Sequence, residues 1–252
     1  METRAPTPPA DAARPRWRGT TIALIGQDGA GKSTITRSVV SHLPYDAETV
    51  YMGINLEASR VMLPTTRLSL VLKRQRGRRP DMTAHADDPS RRTGVLADLR
   101  RLARALNWIA EEIYRTALVR RIRRRGAIAI LDRDFYCDYY WSAVAPVAER
   151  RPLDVRLHGA FLRRWYPVPD LVLLLDAPPD VLHARRPEHS LEQAGQRRAG
   201  YLALANVLPS MQVVSADRPV ADIVQDITTR IIHFVEAGSG DAAVPSVGSA
   251  PA

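Results

Sequence analysis

Apolar residues recur along this chain in two alternating rhythms. Short, nearly continuous apolar runs stand at 20–25, 48–53, 127–132, 169–180 and 211–216, each closed by charged, Gly or Pro residues. Such runs predict strands buried on both faces of a sheet. Between them the apolar positions step by three and four, predicting helices over 34–43, 58–76, 91–125, 135–148, 153–165, 181–186, 196–208 and 219–236. In the long helix the stripe is Leu96, Leu99, Ala103, Leu106, Ala110, Ile113 and Ala117, which places these residues inward and the arginines on the other faces. Residues 77–93, polar and broken by Pro80 and Pro89, read as a loop. Strands alternating with helices predict an α/β fold with a parallel sheet wound on both sides, its ligands at the carboxyl ends of the strands.

Composition trims the ends. Residues 1–18 and 237–252 are rich in Ala and Pro and lack periodicity, so a disordered arm and tail flank one domain over 19–236. No apolar run reaches membrane-spanning length, and the first residues lack a signal-peptide core. The single cysteine, Cys137, excludes an intrachain disulfide and fits a reducing compartment. The expectation is a cytoplasmic protein that calls for no membrane. The net charge of +9 comes almost wholly from arginine, since Lys32 and Lys73 are the only lysines. Eleven arginines fall in 91–125. They read as a solvated helix face, with an anion-binding wall or a nucleic-acid patch as the sharper alternatives.

The first strand runs into Gly26-Gln27-Asp28-Gly29-Ala30-Gly31-Lys32-Ser33-Thr34, a full match to G-x-x-x-x-G-K-[ST]. Glycines let successive amides curl around phosphate oxygens. Lys32 supplies a cation for the β and γ phosphates, and Ser33 a hydroxyl for Mg²⁺. The third strand ends in Asp132-Arg133. A carboxylate at that place can organise Mg²⁺ or its waters, and the arginine can grip an anion bidentately. Gly29 leaves the loop without a cation at its middle. Arg185, Arg186, Arg197 and Arg198 flank a polar segment at 184–198. One or more of Arg185, Arg186 and Arg197 are then the source of catalytic charge, carried on a lid, with two exposed helix ends as the plainer alternative. The aromatics Phe135, Tyr136, Tyr139, Tyr140 and Trp141 read mainly as core, and Cys137 as a buried spectator.

Taken in order, "GQDGAGKST", "ILDRD", "PDLVLLLDAPPDVLHARR", "QRRAGYLALA" and "VVSADRPVADIVQDI" resemble the thymidylate kinase family over about residues 20–235. The resemblance implies a five-stranded sheet in the order 2-3-1-4-5, a mobile lid, and ATP–Mg²⁺-dependent transfer to a nucleoside monophosphate. It also implies that Asp28 meets the acceptor sugar, that Arg133 holds the acceptor phosphate, and that Ser215 to Pro219 lie near adenine. An arginine of the long helix should touch the acceptor phosphate, with Arg104 as the candidate. The acceptor side departs from the family. "YMGINLEASR" stands where an Arg-Glu-Pro-Gly-like loop belongs, and "DRDFYCDYYWSAVAP" replaces the base-facing residues, with Ser142 near the expected Gln. The partners implied are ATP and a phosphate-bearing small-molecule acceptor. Nucleic acid is not the expected partner, and a homodimer is permitted. Two other readings stay open: a P-loop kinase for a nucleoside, sugar or glycan-pathway acceptor, and a nucleotide-binding module associated with nucleic acid.

Overall fold

A computed structural model describes residues 19–53, 62–75, 95–146, 151–187 and 190–240. The arm, the loop expected at 77–93 and the residues past 240 lie outside the described residues. Five parallel strands form the sheet: β1 (Thr21–Gly26), β2 (Ala47–Tyr51), β3 (Ile128–Asp132), β4 (Leu171–Asp176) and β5 (Met211–Ser215). Their order is β2-β3-β1-β4-β5, as expected. β1 is buried at every position, because β3 and β4 flank it and helices cover both faces.

On one face α1 (Lys32–His42) and α8 (Val220–Gly240) pack Ile35, Val39, Ile223, Ile227 and Ile231 onto Ile22, Leu24 and Leu173. α8 runs four residues past the expected end at 236. On the other face lie α3 (Val95–Arg124), α4 (Phe135–Tyr139) and α5 (Leu153–Arg164), around Ala23, Ile25 and Leu131. α2 (Pro64–Gln75) packs on α3. The helix expected over 135–148 is a five-residue α4, capped by Asp134 accepting from the Cys137 amide, followed by a π-helical turn over Tyr140–Val144. α6 (Pro179–Arg185) begins with proline at its first position, where no amide partner is lost. α7 (Leu191–Ala203) starts five residues before the expected 196, because Ser190 and Gln193 form a reciprocal capping box.

α3 overturns the reading of its own stripe. Leu99, Leu106 and Ile113 are 60%, 57% and 53% exposed, and Ala103, Ala110 and Ala117 are exposed beside them. The inward side carries Ala105, Glu111, Glu112, Arg115, Thr116, Val119 and Ile122. Towards the carboxyl end Val119 and Ile122 meet the sheet core as a helix ordinarily does. Nearer the amino end, buried charges satisfy one another instead. Arg115 Nε donates to Glu111 Oε1 at 2.7 Å, and Glu112 Oε1 lies 2.5 Å from His158 Nε2 on α5. Burial raises the Glu112 carboxyl above its ordinary value, with His158 pulling the other way.

Candidate active site

Where β1 gives way to α1, the chain turns tightly around Gly26 (φ 143°), where a Cβ would lie 2.5 Å from the Leu175 carbonyl oxygen. Gly29 (φ 91°) sits under the end of α6, and its missing side chain leaves room for Leu182, Arg185 and Arg186. α1 opens at Lys32 with no side chain capping its first amides, and Ser33 and Thr34 are exposed in that first turn. Those open amides and the helix dipole suit an anion. Lys32 is buried and folds back, donating to the Gly26 and Gln27 carbonyls at 2.7 and 2.6 Å. Burial, then Arg133, bring its pKa down to about 8, against the pull of Asp28, Asp138 and Asp132.

The end of β3 brings the second half of the constellation. Asp132 is 4% exposed, and its Oδ1 has no hydrogen-bond partner among the described residues. Arg133 follows with φ 78°, a left-handed conformation rare for a side-chain-bearing residue, held by its amide donating to the Leu24 carbonyl at 3.1 Å. That turn aims the guanidinium across the phosphate loop, where it pairs with Asp28 Oδ1. Lys32 Nζ lies 3.8 Å from the same oxygen. Burial pushes the Asp28 carboxyl up, but Arg133, Lys32 and the more distant Arg186 outweigh it, so it lies below its ordinary value.

Sequence reasoning passed over several groups here. Asp138 on α4, its side chain 9% exposed, accepts from the Tyr201 hydroxyl at 2.9 Å and stands 3.9 Å from Arg133 Nη1. Burial raises its pKa, with Arg133, Lys32 and Tyr201 opposing. Burial alone would lower Arg133, yet Asp138, Asp28 and Tyr51 together raise it, so it stays a cation. Arg104, the expected α3 arginine, is exposed, whereas Arg115 is wholly buried and reaches the end of β2. The i, i+4 spacing of Glu111 and Arg115 was the one available signal, and it reads as a surface pair. Of the aromatics, Phe135 and Tyr139 are core and Tyr136 and Tyr140 half-buried, while Trp141 is 50% exposed. Cys137 is buried, as expected.

The lid arginines divide. Arg185 and Arg186 end α6 beside Gly29, and Arg185 Nη1 donates to the Ala216 carbonyl at 3.1 Å. Arg197 is half-buried on α7. Arg198 is committed elsewhere, forking onto both oxygens of Asp176 at 2.8 Å. α7 itself is docked. Gln27 Nε2 donates to the Ala194 carbonyl at 2.7 Å and Trp141 Nε1 to the Gly200 carbonyl at 2.8 Å.

Comparison with known proteins gives the following likenesses. The sequence model of the ABC transporter family matches residues 16–127, a stretch that holds the phosphate loop and ends before Asp132. A probable thymidylate kinase of Methanococcoides burtonii is 27% identical over 230 residues, 87% of this chain and 99% of its own length. A thymidylate kinase of Xylella fastidiosa is 30% identical over 205 residues, 79% of this chain and 80% of its own. The solved structure of deoxyadenosine kinase from M. mycoides, with products dCMP and a flexible dCDP bound, aligns at 15% identity with a TM-score of 0.47. That alignment covers 85% of this chain and 99% of the other.

Proposed function

The chain belongs to the thymidylate kinase family, and on that basis we propose that it moves the γ-phosphoryl group of ATP to a nucleoside monophosphate. One observation carries the reading. A phosphate-loop lysine and the arginine at the end of β3 converge on a single oxygen of Asp28, so donor-side and acceptor-side cations meet at one point. Phosphoryl transfer asks a protein mainly for positioning and charge neutralisation, and two converging cations supply both.

In this reading Lys32 releases the Gly26 and Gln27 carbonyls and takes the β and γ oxygens. Loop amides between Gln27 and Ser33 line the phosphates, while those of Ala30 and Thr34 are given to the Gln27 and Gly31 carbonyls. Arg133 exchanges Asp28 for the acceptor phosphate, which leaves Asp28 for the acceptor sugar. Arg185, Arg186 and Arg197 gather negative charge from the lid side. Asp138 steadies Arg133 at its other terminal nitrogen. Ser33 and Asp132 fit a Mg²⁺ carried by the nucleotide: one offers an exposed hydroxyl, the other a buried oxygen with no protein partner among the described residues. Mg²⁺ neutralises charge on the β and γ phosphates when bound. Among the described residues no group of three or more His, Cys, Asp or Glu is set to hold a metal, and a nucleotide-borne Mg²⁺ needs none.

The departures after β2 and after Arg133 concern the acceptor. dTMP is therefore expected to be a poor substrate beside the native acceptor. A panel of nucleoside monophosphates assayed with ATP–Mg²⁺ tests this. A kcat/KM for dTMP near ~10⁵ M⁻¹s⁻¹, within the ordinary enzyme range, would restore plain thymidylate kinase activity. No turnover with any nucleoside monophosphate would turn the reading to another acceptor class. Among the described residues no helix is long and apolar enough to cross a membrane; the cytoplasmic setting belongs to this proposal.

A further inference from the structure

Arg115 is the largest wholly buried side chain among the described residues; its guanidinium divides its donors between backbone and Glu111, and its Nη2 has no hydrogen-bond partner among the described residues. Nη1 donates to the carbonyls of Tyr51 and Gly53 at 3.0 and 2.6 Å, and Nε to Glu111 at 2.7 Å. The plane lies 5.7 Å from the Phe135 ring centre. Glu111 turns its second oxygen to the Leu63 amide at 3.0 Å, and one turn earlier Asn107 donates to Thr66 at 2.9 Å. Asn107, Glu111 and Arg115 thus form a polar ladder at four-residue spacing, facing the end of β2 and the start of α2.

The end of β2 in turn touches the cleft arginine. The Tyr51 hydroxyl lies close to Gly53, where an added Cβ would collide with it; burial raises its pKa, and the Arg133 charge pulls it down. A Cβ on Gly53 would lie 2.8 Å from Arg133 Cδ, so glycine lets the backbone lie directly against that side chain. The Met52 amide donates to the Asp132 carbonyl at 2.9 Å, immediately before the left-handed residue. A strained backbone persists only where its surroundings hold it, and this side of Arg133 is held by the strand end that Arg115 grips.

We propose that Arg115, with Glu111 as its counter-ion, is a positioning residue that acts through Tyr51–Gly53 to keep Arg133 aimed at the acceptor. The proposal rests on the reading of Arg133 as the acceptor-side arginine. A lysine at 115 keeps the charge and loses the planar fork, so a single nitrogen replaces the two that separately hold Glu111 and the two carbonyls.

The test is a double-substitution cycle with dTMP as the probe acceptor, joined to amide hydrogen exchange on the nucleotide-free protein. Arg115→Lys should lower kcat/KM for dTMP by about tenfold or more and leave the KM for ATP within about twofold, because misplacing one acceptor group penalises transfer and not donor binding. In an Arg133→Ala background it should cost nothing further, since a residue acting through Arg133 has nothing left to act on. The amides of Met52 and Arg133 should exchange faster in Arg115→Lys. Glu111→Gln, which keeps one acceptor oxygen, should fall between wild type and Arg115→Lys, and it carries the test if the lysine variant folds poorly. Independent, multiplying losses at 115 and 133, or unchanged exchange at those two amides, would overturn the proposal. If wild type phosphorylates no nucleoside monophosphate, the function reading fails, and the amide exchange still decides whether Arg115 holds Arg133.

Discussion

Lys32 shows how a single residue couples acid–base state to nucleotide use. In the ligand-free protein its ammonium loses its proton near pH 8, because burial and Arg133 both penalise the charge. Only the charged form draws a triphosphate. kcat/KM for ATP should therefore be flat below pH about 8 and fall above it, since that ratio reports groups of the free enzyme. Stability should run the other way, rising from about pH 8 to the ordinary 10.5, because the unfolded chain holds the lysine proton longer. Lys32→Ala should remove the pH limb and cut turnover by a hundredfold or more, about 3 kcal/mol; wild-type turnover at saturating ATP would refute the assignment. The lysine was legible because G-x-x-x-x-G-K-[ST] is a local pattern with a local cause. Arg115 and Asp138 were not, because their roles come from which face of a helix turns inward, and no fixed spacing announces that.

At the scale of elements, strands proved more readable than helix faces. Every strand was located, since a run buried on both sides is apolar throughout and needs no choice of face. α3 misled because its best apolar stripe is the outward one, and its inward side is paid in paired charges. α7 offered a signal that went unused, the Ser190-x-x-Gln193 capping box, which would have placed the helix start inside the expected lid. That start changes what the lid can do. α7 is tied to the phosphate loop through Gln27, to β4 through Arg198 and Asp176, and to α4 through Tyr201 and Asp138. Closure is then expected at the end of α6 and the first turn of α7, not across all of 184–198. Amide exchange there should slow when ATP and acceptor bind, while residues 194–203 stay protected throughout. Neutralising Arg185, Arg186 and Arg197 together should depress kcat strongly and ATP affinity much less. A triple variant of normal kcat would strip the lid of its catalytic role.

At the scale of the molecule, the outward stripe of α3 asks for cover. It alternates large and small: Leu99, Ala103, Leu106, Ala110, Ile113, Ala117. An antiparallel second copy crossing at residue 108 sets Leu99 on Ala117, Ala103 on Ile113 and Leu106 on Ala110, so every large side chain meets a small one. Leu68, Val71 and Leu72 are exposed on α2, which packs against α3. Sedimentation at micromolar concentration is expected to give twice the chain mass, and Leu106→Arg to return it to one; a monomeric wild type would rule the pairing out. Elsewhere the chain's lone thiol has a use of its own. Cys137, on the inward side of α4, is 3% exposed, with burial and then Asp134 and Asp138 holding its pKa well above the ordinary value. A thiol-reactive dye can reach it only when α4 lifts. The labelling rate is therefore a built-in clock for opening beside Asp138, and adding nucleotides one at a time would show which of them stops it.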